Sequence, residues 1–258
     1  MDILLYILAG ASVGFIVGIT GIGGGALMTP LLLLFGFPPN IAVGTDLMYA
    51  SITKASGVIS HHQQKHVEWK LVKLLALGSI PAALITGYSL QNLFTDSASY
   101  EVLIKNSLGF MLLLTSIVVI FRKQLQRFTL KTKSVHNDRF RDTLTLIMGV
   151  ILGILVTLTS VGAGAIGTAV LMLLYPALRS SHVVGTDIAH AVPLTASAGL
   201  VHMWLGNVDF GLLLALLIGS IPAIQLGSKA SHHLPDNLLK PLLASILFFL
   251  GAKYAFFN

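Results

Sequence analysis

Lys54 is the residue whose chemistry most needs a partner. It stands within residues 41–62, a run that reads as a membrane helix. A lysine at the bilayer centre costs about 2.5–3.5 kcal/mol on insertion scales. It therefore calls for an acid, a water-filled cavity or an anionic ligand. Asp46 lies eight residues before it, and Asp187 occupies a similar run later in the chain. Three roles are open to Lys54. It can be an anion ligand in a polar path, one half of an ion pair with Asp46 or Asp187, or a lysine whose stem snorkels to the nearer face. Both acids follow Gly-Thr. Each reads as a first-turn acid behind a Thr45 or Thr186 cap, and equally as a cavity carboxylate able to take a proton. His190 follows Asp187 by one turn on the same face. It reads as a proton relay or as a hydrogen-bonded structural histidine.

The second chemical feature is a glycine run, Thr20-Gly21-Ile22-Gly23-Gly24-Gly25, followed by Pro30 and set between two apolar stretches. In hydrocarbon, broken helix is tolerated only where it is buried or lines a polar cavity. A weaker copy follows as Thr159-Ser160-Val161-Gly162-Ala163-Gly164. Each break exposes the start of a short helix, near Ala26 and near Ala165. A helix start offers free N–H groups and about half a positive charge to an anion. Close helix packing is the competing explanation of such glycines. It is weaker for the first copy, where three glycines are consecutive. No strand precedes either break and no Gly-Lys-Ser/Thr follows, so a nucleotide loop is excluded.

The elements that must position these residues come in two sets. Residue n matches residue n+141: over 43–82 there are 16 identities in 40 positions without a gap. Gly78–Ala82 meets Gly219–Ala223, His61 meets His202, and the glycine copies align two residues out of register. Each set reads as five helical pieces: 3–19, 26–36, 41–62, 68–91 and 100–121, then 143–158, 165–175, 183–203, 209–230 and 236–256. Pro81, Pro193 and Pro222 fall inside pieces and mark expected kinks. An odd number of pieces turns the second copy upside down. Charge agrees, because 13 of the 16 Lys and Arg fall in 61–73, 122–142, 176–182 and 228–240, which the positive-inside rule places on the cytoplasmic side. Among the opposite segments only Lys105 and Lys253 are basic. Both termini are thus expected outside. The domain plan is a first repeat at 1–121, a basic linker at 122–142 and a second repeat at 143–258.

Composition excludes most other classes. Of the 258 residues 55% are hydrophobic and 10% charged, with a mean hydropathy of +0.85, whereas soluble domains carry about 25% charge. Residues 1–17 lack a basic n-region and read as the first membrane helix, not a cleaved leader. There is no cysteine, so thiol chemistry is absent. The net charge of +6 comes mostly from 122–142, with seven basic and two acidic residues; it reads as loop charge, not nucleic-acid binding. His61, His62 and His66 match no standard metal spacing. The fold class is an all-α polytopic membrane protein of two inverted repeats, each a hairpin of broken or short helices followed by three transmembrane helices.

The break at 21–25 followed by Pro30, Ala-Val-Gly-Thr-Asp at 42–46 and Gly-Ser-Ile-Pro-Ala at 78–82, with a weaker second copy, resembles the TauE/SafE sulfite exporter family over essentially the whole chain. The resemblance implies an inner-membrane carrier of small sulfur oxyanions or organosulfonates. The chain is then expected to be a secondary transporter, an exporter by family, of sulfite, thiosulfate or a sulfonate. No cofactor and no catalysis are expected. The partners are the anion, the lipid bilayer and, as a further option, a second copy in a homodimer. The expected substrate ligands are Thr20, Gly21, Ile22, Gly23, Gly24, Gly25, Lys54, Thr159, Val161, Gly162 and Gly164. Asp46, Asp187 and His190 would line the cavity and carry protons. A carrier or channel for another small anion, such as a carboxylate, is the alternative. An intramembrane enzyme is disfavoured, because Val-Gly-Thr-Asp lacks the Gly-x-Gly-Asp pattern of intramembrane aspartyl proteases and inverted symmetry with helix breaks is a carrier's signature.

Overall fold

The computed structural model describes residues 3–20, 25–93, 97–131, 138–230 and 236–256. They form ten α-helices: α1 (Ile3–Thr20), α2 (Gly25–Leu34), α3 (Pro39–Gln63), α4 (Trp69–Leu93), α5 (Ser97–Lys131), α6 (Asp138–Thr159), α7 (Ile166–Leu174), α8 (Ser180–Trp204), α9 (Phe210–Ala230) and α10 (Asp236–Phe256). No strand occurs among the described residues. The short second piece of each set is present as α2 and α7. At 1.5 Å per residue these helices reach about 15 Å, half a bilayer core.

Several boundaries moved: α6 begins at Asp138, five residues before the expected 143 and inside the expected linker, and the shifts of α5 and α3 have identifiable reasons. Helix α5 runs through Lys131, past the expected end at 121. Residues 122–131 are rich in Arg, Lys, Gln and Leu, good helix formers; hydropathy ends there, but helix does not. Helix α3 begins at Pro39, behind Pro38. Proline is preorganised for the first helical turn, so α3 starts early and Thr45 and Asp46 fall inside the helix. Helix α8 begins at Ser180 and places Thr186 and Asp187 the same way. The capping reading of both Gly-Thr-Asp motifs is therefore corrected. Pro81, Pro193 and Pro222 lie inside continuous helices.

Packing is reciprocal between the two sets. Helix α1 packs along α9 while α6 packs along α4; α3 pairs with α8 and α5 with α10. Individual contacts repeat as well. Gly10 lies so close to the Leu216 carbonyl that a Cβ would collide with it, and Gly149 meets the Leu75 carbonyl likewise. Apolar clusters repeat too: Leu212, Leu216, Leu32 and Ala42 in one answer Leu71, Leu75, Leu171 and Val183 in the other.

The surface is that of a membrane protein. Leu77, Ile85, Leu214, Ile218 and Phe249 are all more than half exposed, a pattern that soluble monomers avoid. Among the described residues four stretches are long and apolar enough to cross a bilayer: Trp69–Asn92, Tyr100–Phe121, Asp138–Thr159 and Phe210–Gly227. Helices α3 and α8, each 25 residues long, are absent from that set because they carry the polar residues. They lie in the middle, shielded by the others.

Candidate functional site

The α3–α8 pair brings the chemistry together. Lys54 is 8% exposed, so it does not snorkel. Its Nζ has no hydrogen-bond partner among the described residues; its charge sits in the field of Asp187 first and Asp46 second. Asp46 is on its own helix and Asp187 on α8, so one lysine balances carboxylates from both halves of the chain. The repeat position of Lys54 is Thr195, whose hydroxyl bonds the Ala191 carbonyl of its own helix at 2.8 Å. One cation against two acids leaves a formal deficit of one positive charge.

Each carboxylate is also tied to a short helix. Thr29 of α2 donates to Asp46 Oδ2 at 2.5 Å, and Asp46 is fully buried. The Ser160 hydroxyl faces the same carboxylate without closing a hydrogen bond. Asp187 lies against the first turn of α7: a Cβ on Gly167 would collide with its Oδ1. Only glycine leaves room there. The carboxylate thus lies beside the first turn of α7, where the partial positive charge of the helix start favours an anion.

The second break, residues 160–165, is a tight backbone reversal. Ser160 has φ +58°, and Gly162 and Gly164 have φ +122° and +121°. The last two values are ones that only glycine adopts readily. Val161 N donates to the Thr159 hydroxyl at 3.1 Å, and that hydroxyl donates to the Leu155 carbonyl at 2.7 Å. Thr159 and Val161 are therefore used by the backbone, with Val161 1% exposed. Past them, the amides of Gly162, Ala163, Gly164 and Ala165 donate to no backbone carbonyl among the described residues. They are the open donors of the break. In the first break Thr20 closes α1 and Gly25 opens α2. Gly21, Ile22, Gly23 and Gly24 lie outside the described residues, as does the Thr20 side chain.

His190 is fully buried and its Nε2 meets Ser79 Oγ of α4 at 2.8 Å. Its repeat partner is Tyr49, 1% exposed, whose hydroxyl faces Ser220 of α9 without closing a bond. Ser79 and Ser220 are themselves repeat partners. The two positions thus keep one geometry with two chemistries, a titratable ring on one side and a phenol on the other. Thr45 and Thr186 have a further role. The Asp209 amide donates to Thr45 Oγ1 at 3.1 Å and the Glu68 amide to Thr186 Oγ1 at 3.0 Å. Each threonine holds the start of the helix that follows the other long central helix, and this locks the α3–α8 pair.

Sequence reasoning missed Thr29, Ser79, Ser160 and Gly167. The repeat alignment held the signal for Ser79, since Gly78-Ser79 and Gly219-Ser220 recur intact. Nothing local marked Gly167 as a carboxylate seat. The histidine-rich segment at 61–66 stands apart. His66 stacks near His182, whose Nδ1 meets Glu68 at 3.0 Å. No group of three or more metal ligands occurs among the described residues.

The arrangement is a buried cation and two buried carboxylates beside a helix break whose amides meet no backbone carbonyl of the described residues. It can hold and exchange a small anion within a membrane. Comparison with known proteins agrees. Residues 6–254 match the family described as Sulfite exporter TauE/SafE. The chain is 42% identical over 252 residues to the "Probable membrane transporter protein YjnA" of Bacillus subtilis, covering 96% of this chain and 97% of that one. It is 29% identical over 257 residues to "YdhB" of the same organism, covering 95% and 99%. A "Probable membrane transporter protein" of Methanocaldococcus jannaschii is 29% identical over 265 residues, covering 93% and 91%. No solved structure matches the chain. A multi-pass helical bundle with polar residues at its centre, matched across nearly its full length, is a membrane transporter, and the chain belongs to the TauE/SafE sulfite exporter family.

Proposed function

We propose that the protein is a secondary transporter of a small sulfur-containing anion, such as sulfite, thiosulfate or an organosulfonate, and that it works outward across the inner membrane. The observation that carries this reading is the seat of Asp187, between Lys54 and the start of α7. A carboxylate there lies against the first turn of α7 and in the field of Lys54, the two features that would hold a substrate oxyanion. Asp187 stands in for the substrate when the site is empty. The incoming anion takes its place against Lys54 and the amides of Gly162–Ala165. The first break, Thr20–Gly25, is the sequence counterpart of Thr159–Gly164 and is assigned the matching ligand role.

Charge counting gives the coupling. With one cation and two carboxylates, adding an anion deepens the local deficit inside a low-dielectric site. A proton moving with the anion removes that cost, and outward movement then follows the anion's own outward concentration gradient. Asp187 or Asp46 takes it, and His190 with Ser79 passes it along. Alternating access comes from one repeat rocking against the other. The tightest helix pairs, α1 with α9 and α6 with α4, each join one repeat to the other, so that motion has to repack them. The domain plan of 1–121, 122–142 and 143–258 stands within this reading, with both termini outside and the basic linker in the cytoplasm.

Uptake of labelled sulfite into proteoliposomes tests it. Saturable entry that rises with an imposed inward proton gradient is expected. Flux that ignores the gradient removes the proton step. Flux that never saturates turns the carrier into a channel. Entry of acetate but no sulfur anion moves the substrate class to carboxylates.

A further inference from the structure

The last two cations on the outward-assigned side converge in one place. Lys105 and Lys253 lie about 150 residues apart in sequence. Both line an open cavity of about 470 Å³, together with Glu101, Tyr254, Leu33 and Pro39. The cavity lies where α2 ends, α3 and α5 begin and α10 ends. Neither lysine forms an ion pair with another described residue. Lys253 stands in the last turn of α10, with its Nζ 5.5 Å from the Tyr254 ring centre, so it also complements that helix end. Lys105 has no such role: it lies eight residues inside α5 and is half-buried. The remaining charged residues of the outward segments are acids, Asp2, Asp96, Glu101 and Asp209. A concave site lined by one sign of charge concentrates counter-ions. Two lysines against one glutamate leave its side chains with a net positive charge.

The cavity and the buried charged groups share helix α3. From Pro39 to Asp46 is seven residues of α3, about 10 Å of helix. Val43, on that stretch, and Leu47, just past Asp46, belong to one apolar cluster with Ile104, Leu108 and Tyr254.

We propose that this cavity is a second anion site. Lys105 and Lys253 hold a small oxyanion at the outward face, one step from the buried site, with Glu101 setting how readily it leaves. The inference rests on the transport reading for its ligand and on the cavity for its place. An anionic lipid headgroup presents the same phosphate-like oxygens, so the test separates the two sources.

Labelled sulfite entry is measured in vesicles of phosphatidylcholine alone, sorted by protein orientation, for the parent protein, Lys105→Gln/Lys253→Gln and Glu101→Gln. The double variant is expected to raise KM about tenfold from the cavity face, at the low end of electrostatic focusing. Its kcat and its KM from the other face stay unchanged. Glu101→Gln lowers KM from the cavity face. An unchanged KM there, or an equal rise on both faces, overturns the proposal. A second readout does not need transport. In the Lys54→Ala protein, millimolar sulfite still raises the melting temperature, and adding Lys105→Gln/Lys253→Gln abolishes that rise. Equal rises in the two proteins overturn the site. Absent flux in the parent protein overturns the transport reading alone. If phosphatidylglycerol stabilises the parent more than the double variant and sulfite affects both alike, the cavity is a lipid site and the proposal fails.

Discussion

Replacing Lys54 with methionine shortens the side chain by one heavy atom and removes its charge. Two effects then oppose each other. The buried cation no longer has to be desolvated, which is worth about 2.5–3.5 kcal/mol on insertion scales. Against that, Asp46 and Asp187 lose the charge that both face. Breaking a buried charge pair by removing one partner costs about 3–5 kcal/mol, a net figure that already includes relief of the lost partner. Here two carboxylates are stranded, not one, and the cost wins. For a chain of this size 1 kcal/mol moves the melting temperature by about 2–4 °C. Lys54→Met should therefore melt about 6–20 °C lower. Adding Asp187→Asn leaves only Asp46, held by Thr29, and should recover at least half of that loss. The double variant should still fail to exchange anions, because its cation is gone. Thermal melts followed by size-exclusion recovery of the four-member cycle measure this. A Lys54→Met protein as stable as the parent, or losses that add independently in the double variant, would show that Lys54 and Asp187 do not form a unit.

Other outcomes follow from single contacts. Thr29→Val removes the donor to a fully buried carboxylate and should cost about 1.5–3 kcal/mol, the range for hydrogen bonds to charged groups, read as a lower melting temperature. Gly167→Ala drives a Cβ into Asp187; counterflow should fall at least as far as in Asp187→Asn, since both empty the seat at α7. Gly164→Ala places a side chain at φ +121° and should destabilise by about 1–2 kcal/mol, whereas Ala163→Gly should not destabilise by that route. A C-terminal alkaline phosphatase fusion should be active and a C-terminal green fluorescent protein fusion dark; the reverse pattern would reverse the orientation.

Much of the fold was written in hydropathy and repetition. The runs at 68–91, 209–230 and 236–256 became helices within two residues of those limits, because membrane helices must satisfy their own backbone. Where polarity changed, hydropathy misled. It cut α5 at the basic residues after 121, and it started α3 at the apolar run and missed the Pro39 start. The site was legible in part. Lys54, Asp46, Asp187 and His190 stood out because titratable groups inside apolar runs are expensive. What the sequence left open was which groups meet. Neither the pairing of Asp187 with Gly167 nor that of His190 with Ser79 is local; the first spans 20 residues and the second 111. Such pairs are set by how helices cross. The paired threonines show the same limit: Thr45 and Thr186 read as caps of their own helices, but they hold the amides of Asp209 and Glu68 across the repeat interface.

The most direct test is counterflow. Proteoliposomes are loaded in turn with unlabelled sulfite, thiosulfate, taurine, sulfoacetate or acetate, and entry of labelled sulfite is followed for the parent protein and Lys54→Met. The account requires transient accumulation driven by one or more of the sulfur anions, absent with acetate and absent in the variant. Accumulation that survives in Lys54→Met would remove the buried lysine from the substrate path, and no exchange with any sulfur anion would contradict the substrate class.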